Sequence, residues 1–388
     1  MSESLANHWK EIVFGFLKIG ATGFGGPAIL GVMQAEFQER RQWTSKARFL
    51  EGLALVNVLP GATATQLALF LGYVRGGWWG ALLAGLGFAI PGFIVMLALT
   101  ILYSAIGVSP ILRGALYGLG PVVLGIFVAA LFRLGKSGLH SWTHGLIAAA
   151  AAVTAVVTPL GPAAILLLAG GVGLLLFHSK RAGVIVLVIV MAVIAVATVL
   201  PSPLASSSPG TPSLGRIAGL FAGIGAFTFG GGLSIIALME EHVVHRLHWL
   251  TPREFVDGLA LGQLTPGPII MLAAYMGYKT LGVAGAMVAA IASFLPSFVM
   301  MLALLPVFDR VRNLAWARAV IQGIVPGVIG VMAVVLVRIT PHAAPDPPAI
   351  AAFVVTTAVL VVWRIAPLKA MAGGAVFGVI GDRVWAAR

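Results

Sequence analysis

The sequence predicts an all-α, polytopic membrane protein made of two homologous halves. Hydrophobic residues fill 60% of the 388 positions and charged residues only 9%, with a mean hydropathy of +1.04, too little polar surface to clothe a soluble fold. Apolar runs able to cross about 30 Å of hydrocarbon recur throughout, and segments of alternating polarity are absent, which selects helices over a barrel. The third observation is a repeat: GATGFGGP at 20–27 returns as GAFTFGGG at 225–232.

Taken in order, apolar windows between charged or Pro/Gly-rich breaks lie near 12–33, 50–73, 78–105, 113–132, 143–159, 161–178, 183–200, 216–239, 255–278, 281–308, 318–337, 348–363 and 369–385. That makes about thirteen transmembrane helices. The N-terminal MSESLANHWKEIVF lacks the basic start, short apolar core and small-residue cleavage site of a secretory signal, so the first segment is expected to stay. Without cysteine, disulfides, cysteine-ligated metals and thiol nucleophiles drop out, and no cofactor or metal is expected. The formal charge of +12 comes mostly from Lys and Arg standing singly or in pairs between apolar segments. They read as topology signals and interfacial anchors rather than a nucleic-acid surface.

The repeat extends well beyond the glycines. Phe16, Ile19, Gly20 and Ala21 match Phe221, Ile224, Gly225 and Ala226 at an offset of 205, and Phe49, Gly52, Leu53, Pro60 and Gly61 match Phe255, Gly258, Leu259, Pro266 and Gly267 at 206. Tyr73, Pro91, Arg113, Pro121 and Arg133 match Tyr278, Pro296, Arg318, Pro326 and Arg338, again at 205. Seven predicted spans separate Phe16 from Phe221, an odd number that brings the second copy in from the opposite face and makes the repeat inverted. If one short span is a re-entrant loop, the copies are parallel instead. On this reading 1–182 form the first half, 183–214 an extra span and linker containing PSPLASSSPGTPS, and 215–388 the second half.

A backbone break at membrane depth leaves unpaired N–H and C=O groups, so irregular backbone survives there only when buried in protein or lining a cavity. The first spans are interrupted at Gly25 and Gly26, after Thr22, and at Gly230 and Gly231, after Thr228. The second spans carry NVLPGATATQ (57–66) and GQLTPGPIIM (262–271). Matching interruptions in two halves point to a transporter site near the midplane. Its substrate-binding set is Lys18, Thr22, Gly25, Gly26, Asn57, Pro60, Gly61, Thr63, Gln66, Thr228, Gly230, Gly231, Gln263, Thr265, Pro266 and Gly267, with Thr65 a further polar group deep in the second span. Broken helices present N-terminal amides to an anion, and the hydroxyls and amides add donors. Lys18, one turn before Thr22, either joins them as a fixed cation or snorkels to the interface. Glu51 and its counterpart Asp257 either carry protons or ion pairs, or are helix-start carboxylates favoured by the local dipole. Scattered glycines such as Gly80, Gly85 and Gly87 read as helix-packing positions.

These residues give the chain a strong resemblance to the chromate ion transporter (CHR) family in its long, two-domain form. The carrying strings are GFGGP (23–27), FTFGGG (227–232) and WLTPREFVDGLALGQLTPGP (249–268), with RFLEGLALVNVLPGATATQLALFLGY (48–73) a weaker first-half equivalent. The resemblance implies a secondary transporter that exports chromate, a tetrahedral dianion like sulfate, across the bacterial inner membrane and confers resistance. Its partners are then the oxyanion and the lipid bilayer, without nucleic acid, and a homodimer is compatible with it. The first half departs from the family pattern where LPGP becomes Leu59-Pro60-Gly61-Ala62, leaving room for a different oxyanion.

No HExxH, no GxSxG and no paired intramembrane Asp supports an enzyme. His242, His245 and His248 in EEHVVHRLHWL read as part of a solvated amphipathic inter-span helix, the alternative being a surface metal site. A passive channel is the other competing class.

Overall fold

A computed structural model of the protein describes residues 3–24, 26–106, 110–199, 212–229, 233–307, 315–363 and 365–385. No β-strand occurs among them. The first half runs α1 (Glu3–Thr22), α2 (Gly26–Met33) continuing as a π-helix (Gln34–Arg40), α3 (Lys46–Val58), α4 (Thr63–Ile106), α5 (Pro110–Gly138), α6 (Trp142–Val157) and α7 (Pro162–Phe177). After α8 (Lys180–Val199) the series restarts with α9 (Leu214–Ala226), α10 (Leu233–Met239) and a second π-helix (Glu240–Arg246). It continues with α11 (Pro252–Leu264), a 3₁₀ turn (Ile269–Met271), α12 (Leu272–Leu304), α13 (Ala315–Ala343), α14 (Pro347–Val362) and α15 (Pro367–Trp385). The repeat reaches backbone detail: Gln42 and His248 hold φ of 51° and 50°, and Gly77 and Gly282 both hold φ of 62°.

The four glycine- or proline-broken segments double back instead of running on as interrupted rods, which corrects the expectation of single broken spans. Phe16 of α1 meets Phe37 of the first π-helix with ring centroids 4.5 Å apart, so α1 and α2 are antiparallel arms of a hairpin. Gly52 of α3 packs on the ring of Phe70 in α4, and Gly258 of α11 on Tyr275 in α12, although a straight helix of that length would hold such pairs about 26 Å apart. Segment 216–239 carries the same two elements, α9 and α10, on either side of the undescribed 230–232. Both long helices also reverse, α4 at Gly76–Gly77 and α12 at Leu281–Gly282. Each reversal lets backbone lie on backbone, Gly72 against Gly80 and Gly277 against Gly285, where a Cβ would overlap the facing carbonyl.

Each hairpin pair has a polar base. In the first half Glu11 accepts from Trp43 Nε1 at 2.7 Å and Arg75 at 2.9 Å, while Glu36 pairs with Arg41 at 2.7 Å. In the second, Lys279 pairs with Glu254 at 2.8 Å, and Tyr275 donates to the Glu254 carbonyl at 2.9 Å. Tyr103, 26 residues and about 39 Å of helix beyond Gly77, donates to Asp257 at 3.0 Å. Reciprocally, Met301 and Leu305 at the end of α12 pack into the first-half core around Phe16, Phe37 and Phe49.

The remaining helices form a scaffold. α5 packs on α14 and α15, and α13 on α6 and α7, through close approaches such as Gly118 on Gly374 and Gly173 on Gly323. Four stretches among the described residues are long and apolar enough to cross a membrane: Thr63–Ala105, Ile111–Gly138, Ile269–Leu304 and Ala315–Ala343. With the apolar α6, α7, α14 and α15 beside them, this is a multi-pass membrane protein.

Candidate functional site at the hairpin tips

The hairpin tips converge on one another. Gly61 N–H donates to the Thr228 carbonyl at 2.7 Å, and Gly267 N–H donates to the Gly23 carbonyl, also at 2.7 Å. The bonds are equivalents: Gly61 and Gly267 are 206 apart, Gly23 and Thr228 205 apart. Each half therefore closes its second hairpin on the other half's first, as a pseudo-twofold arrangement requires. Gly61 and Gly267 hold φ of 125° and 99°, a region that penalises any Cβ. At Gly61 a Cβ would also strike Ser297 Oγ and the Gln66 amide.

Unengaged polar groups gather at the Gly61–Thr228 junction. Gln66 donates to the Pro60 carbonyl at 2.7 Å, leaving its buried Oε1 without a partner, and the fully buried Thr65 hydroxyl has none either. Ala62 N–H donates to Ser297 Oγ at 2.9 Å. The corresponding positions at the other junction, the counterparts of Thr63, Thr65, Gln66, Ala62 and Ser297, are Ile269, Met271, Leu272, Pro268 and Gly92, all without a polar side chain. There Thr265 turns back to the Leu261 carbonyl at 2.9 Å and lies 3.2 Å from Met96 S, while Pro266 rests against Gly92. The departure LPGA thus has a local cause: Ala62 has an N–H where Pro268 has none, and Ser297 supplies an acceptor where its counterpart is glycine.

The tips bring together Pro60, Gly61, Gln66, Thr228, Thr265, Pro266 and Gly267 of the expected set. Thr63, half-buried, begins α4, Gly26 begins α2, and Gly25, Gly230 and Gly231 lie outside the described residues. Lys18 sits on the exposed face of α1 with Phe14 and Thr22, and Thr22 donates to its carbonyl at 2.8 Å. Asn57 is exposed and Gln263 half-buried. Glu51, beside Arg48 at 3.3 Å, and Asp257, buried beside Arg253 at 3.4 Å, belong to the hairpin bases. Ser297, Met96 and Gly92 escaped the sequence reading, although Ser297 and Gly92 directly follow the repeated Pro296 and Pro91.

The histidine segment is an amphipathic helix, as expected, with one face buried and the other exposed. Glu240, Val243 and Val244 are buried, His242 bonds the Leu238 carbonyl at 2.8 Å, His245 bonds Glu240 at 2.6 Å and His248 is exposed. Among the described residues no group of three His, Cys, Asp or Glu could hold a metal.

Comparison with known proteins agrees with this two-part construction. The sequence profile of the family described as Chromate transporter matches twice, at 10–174 and 215–379. A chromate transport protein of Cupriavidus metallidurans is 32% identical over 384 residues, covering 96% of this chain and 92% of the relative. A probable chromate transport protein of Synechococcus elongatus is 34% identical, covering 78% and 77%, and a chromate transport protein of Pseudomonas aeruginosa is 32% identical, covering 84% and 79%. No solved structure gives a significant match. Two profile matches spanning most of the chain, relatives at this identity and a tip junction built from the repeated motifs lead to one conclusion: the chain belongs to the chromate transporter family.

Proposed function

We propose that the protein is a secondary transporter that exports chromate across the bacterial inner membrane by alternating access, giving chromate resistance. The thirteen apolar segments then resolve into nine crossings and four half-depth hairpins, with 1–182 and 215–388 as inverted halves. Five crossings lie between the two hairpin pairs, and the parity stays odd because a hairpin returns to the face it left. The contacts of Tyr103 with Asp257 and of Met301 with the first-half core support this arrangement, since each ties the far end of a long helix to the other half's hairpins.

The observation that carries the mechanism is an asymmetry of cover. Leu50, Ala54 and Asn57 on α3 and Gly31 and Val32 on α2 are exposed, Val32 by 44%, whereas Val256, Ala260, Ala237 and Leu238 are buried, Leu238 to 1%, and Gln263 is half-buried. Equivalent surfaces are bare in one half and covered in the other. That is what one end state of a rocking carrier requires, while a continuous pore leaves both halves alike.

The oxyanion site in this reading is the first-half tip. Thr65 offers an unengaged hydroxyl in the first turn of α4, whose N-terminal end favours an anion by about 0.3–1 kcal/mol. The experiment is uptake of radiolabelled chromate into everted vesicles, with sulfate, molybdate and selenate as competitors. Uphill, saturable accumulation is expected; uptake that only follows the gradient would refute the carrier, and preference for another oxyanion would refute the substrate.

A further inference from the structure

Glu240 opens the second π-helix and is only 2% exposed. Oε1 accepts from His245 Nε2 at 2.6 Å, and Oε2 is buried without any partner. The residue lines a small cavity about the size of one water, between the π-helix, α7 and α13. From α6, the α6–α7 connection and α7 only apolar groups reach this space, Ala155, Leu160, Pro162 and Ile165. From α13 comes Arg338, which lies 3.7 Å from Glu241; Glu241 in turn holds Arg246 at 2.9 Å. On its own turn His242 is committed to the Leu238 carbonyl. Arg246 is thus held by Glu241, and Arg338 by Glu241 and the Ala155 carbonyl, to which it donates at 3.0 Å, leaving His245 as the hydrogen-bond partner of Glu240.

An ionised carboxylate with a buried, unbonded oxygen is disfavoured where the nearby Arg338 is shared with Glu241, and binding a proton removes the penalty. His245, 45% exposed at its side chain, links the buried acid to the outside. The first half has Gln34 and Glu39 at these positions, so the pair exists once per chain. It sits where the covered hairpin meets the scaffold, the contact that must part when the second half opens. We propose that Glu240 and His245 form a proton-binding site whose occupancy is exchanged during the transport cycle, making the proton the coupling ion. The inference rests on the transport reading above.

The test separates exchange from net transport in proteoliposomes of the full chain. Wild-type protein is expected to show both chromate counterflow and uptake driven by a pH gradient. Glu240→Gln should keep counterflow while losing the pH-driven component, because a permanently neutral group completes the exchange half-cycle but releases no proton. His245→Asn, altered at a half-exposed position, should shift the pH profile of uptake even if Glu240→Gln does not fold. Absence of counterflow in the wild type would refute the transport reading itself. Counterflow with pH-driven uptake and a pH profile unchanged in both variants would overturn the proton site alone.

Discussion

Replacing Ser297 by alanine should expose how the two halves are matched at the tip. Ala62 and Ser297 are both buried, and the 2.9 Å bond from Ala62 N–H to Ser297 Oγ joins helices 235 residues apart in sequence. Alanine removes the acceptor but not the donor, so a buried amide loses its partner at a penalty of about 1–3 kcal/mol. The repeat counterpart shows the alternative solution, Pro268 with φ of −78° and no N–H, while Ser297 is replaced by Gly92. Ala62→Pro deletes the N–H at the residue just before α4, where proline is tolerated. The double variant Ser297→Ala/Ala62→Pro is therefore expected to recover about 1 kcal/mol or more relative to the sum of the single variants, a coupling measurable by a double-mutant cycle on thermal unfolding in detergent. The reasoning fails if Ser297→Ala is neutral, or if the double variant loses as much as the two singles together.

The natural absence of cysteine makes the asymmetry of cover directly measurable. Asn57→Cys should react with a membrane-impermeant maleimide added from one side and Gln263→Cys should be protected, with saturating chromate slowing the first; equal labelling of both would remove the argument for a one-sided state. Thr65→Val should weaken chromate binding roughly tenfold, about 1.5 kcal/mol for a hydrogen bond to a charged group, with the protein still inserted. Lys18→Gln, altered on the exposed face of α1, should weaken it less; the reverse ranking in concentration-dependent vesicle uptake would move the site onto that face.

Composition alone determined that this is a helical membrane protein, because 9% charge cannot solvate a 388-residue fold, and self-comparison determined that it has two halves. The interruptions pointed to irregular backbone that must find partners in hydrocarbon, and the tertiary structure supplies them across the halves, Gly61 with Thr228 and Gly267 with Gly23. Whether an apolar segment crosses or turns back was decided only by tertiary structure. Hydropathy counts residues without direction, and the reversal at 12–33 is visible only once Phe16 lies against Phe37. Ser297 was invisible for the same reason, a serine in a long apolar helix whose partner lies half a chain away. Glu240 looked like one more charge between spans, because clustering of charge in the sequence says nothing of what packs over it. The scaffold helices do that covering, and their approach depends on glycine contacts between distant segments that no local pattern encodes.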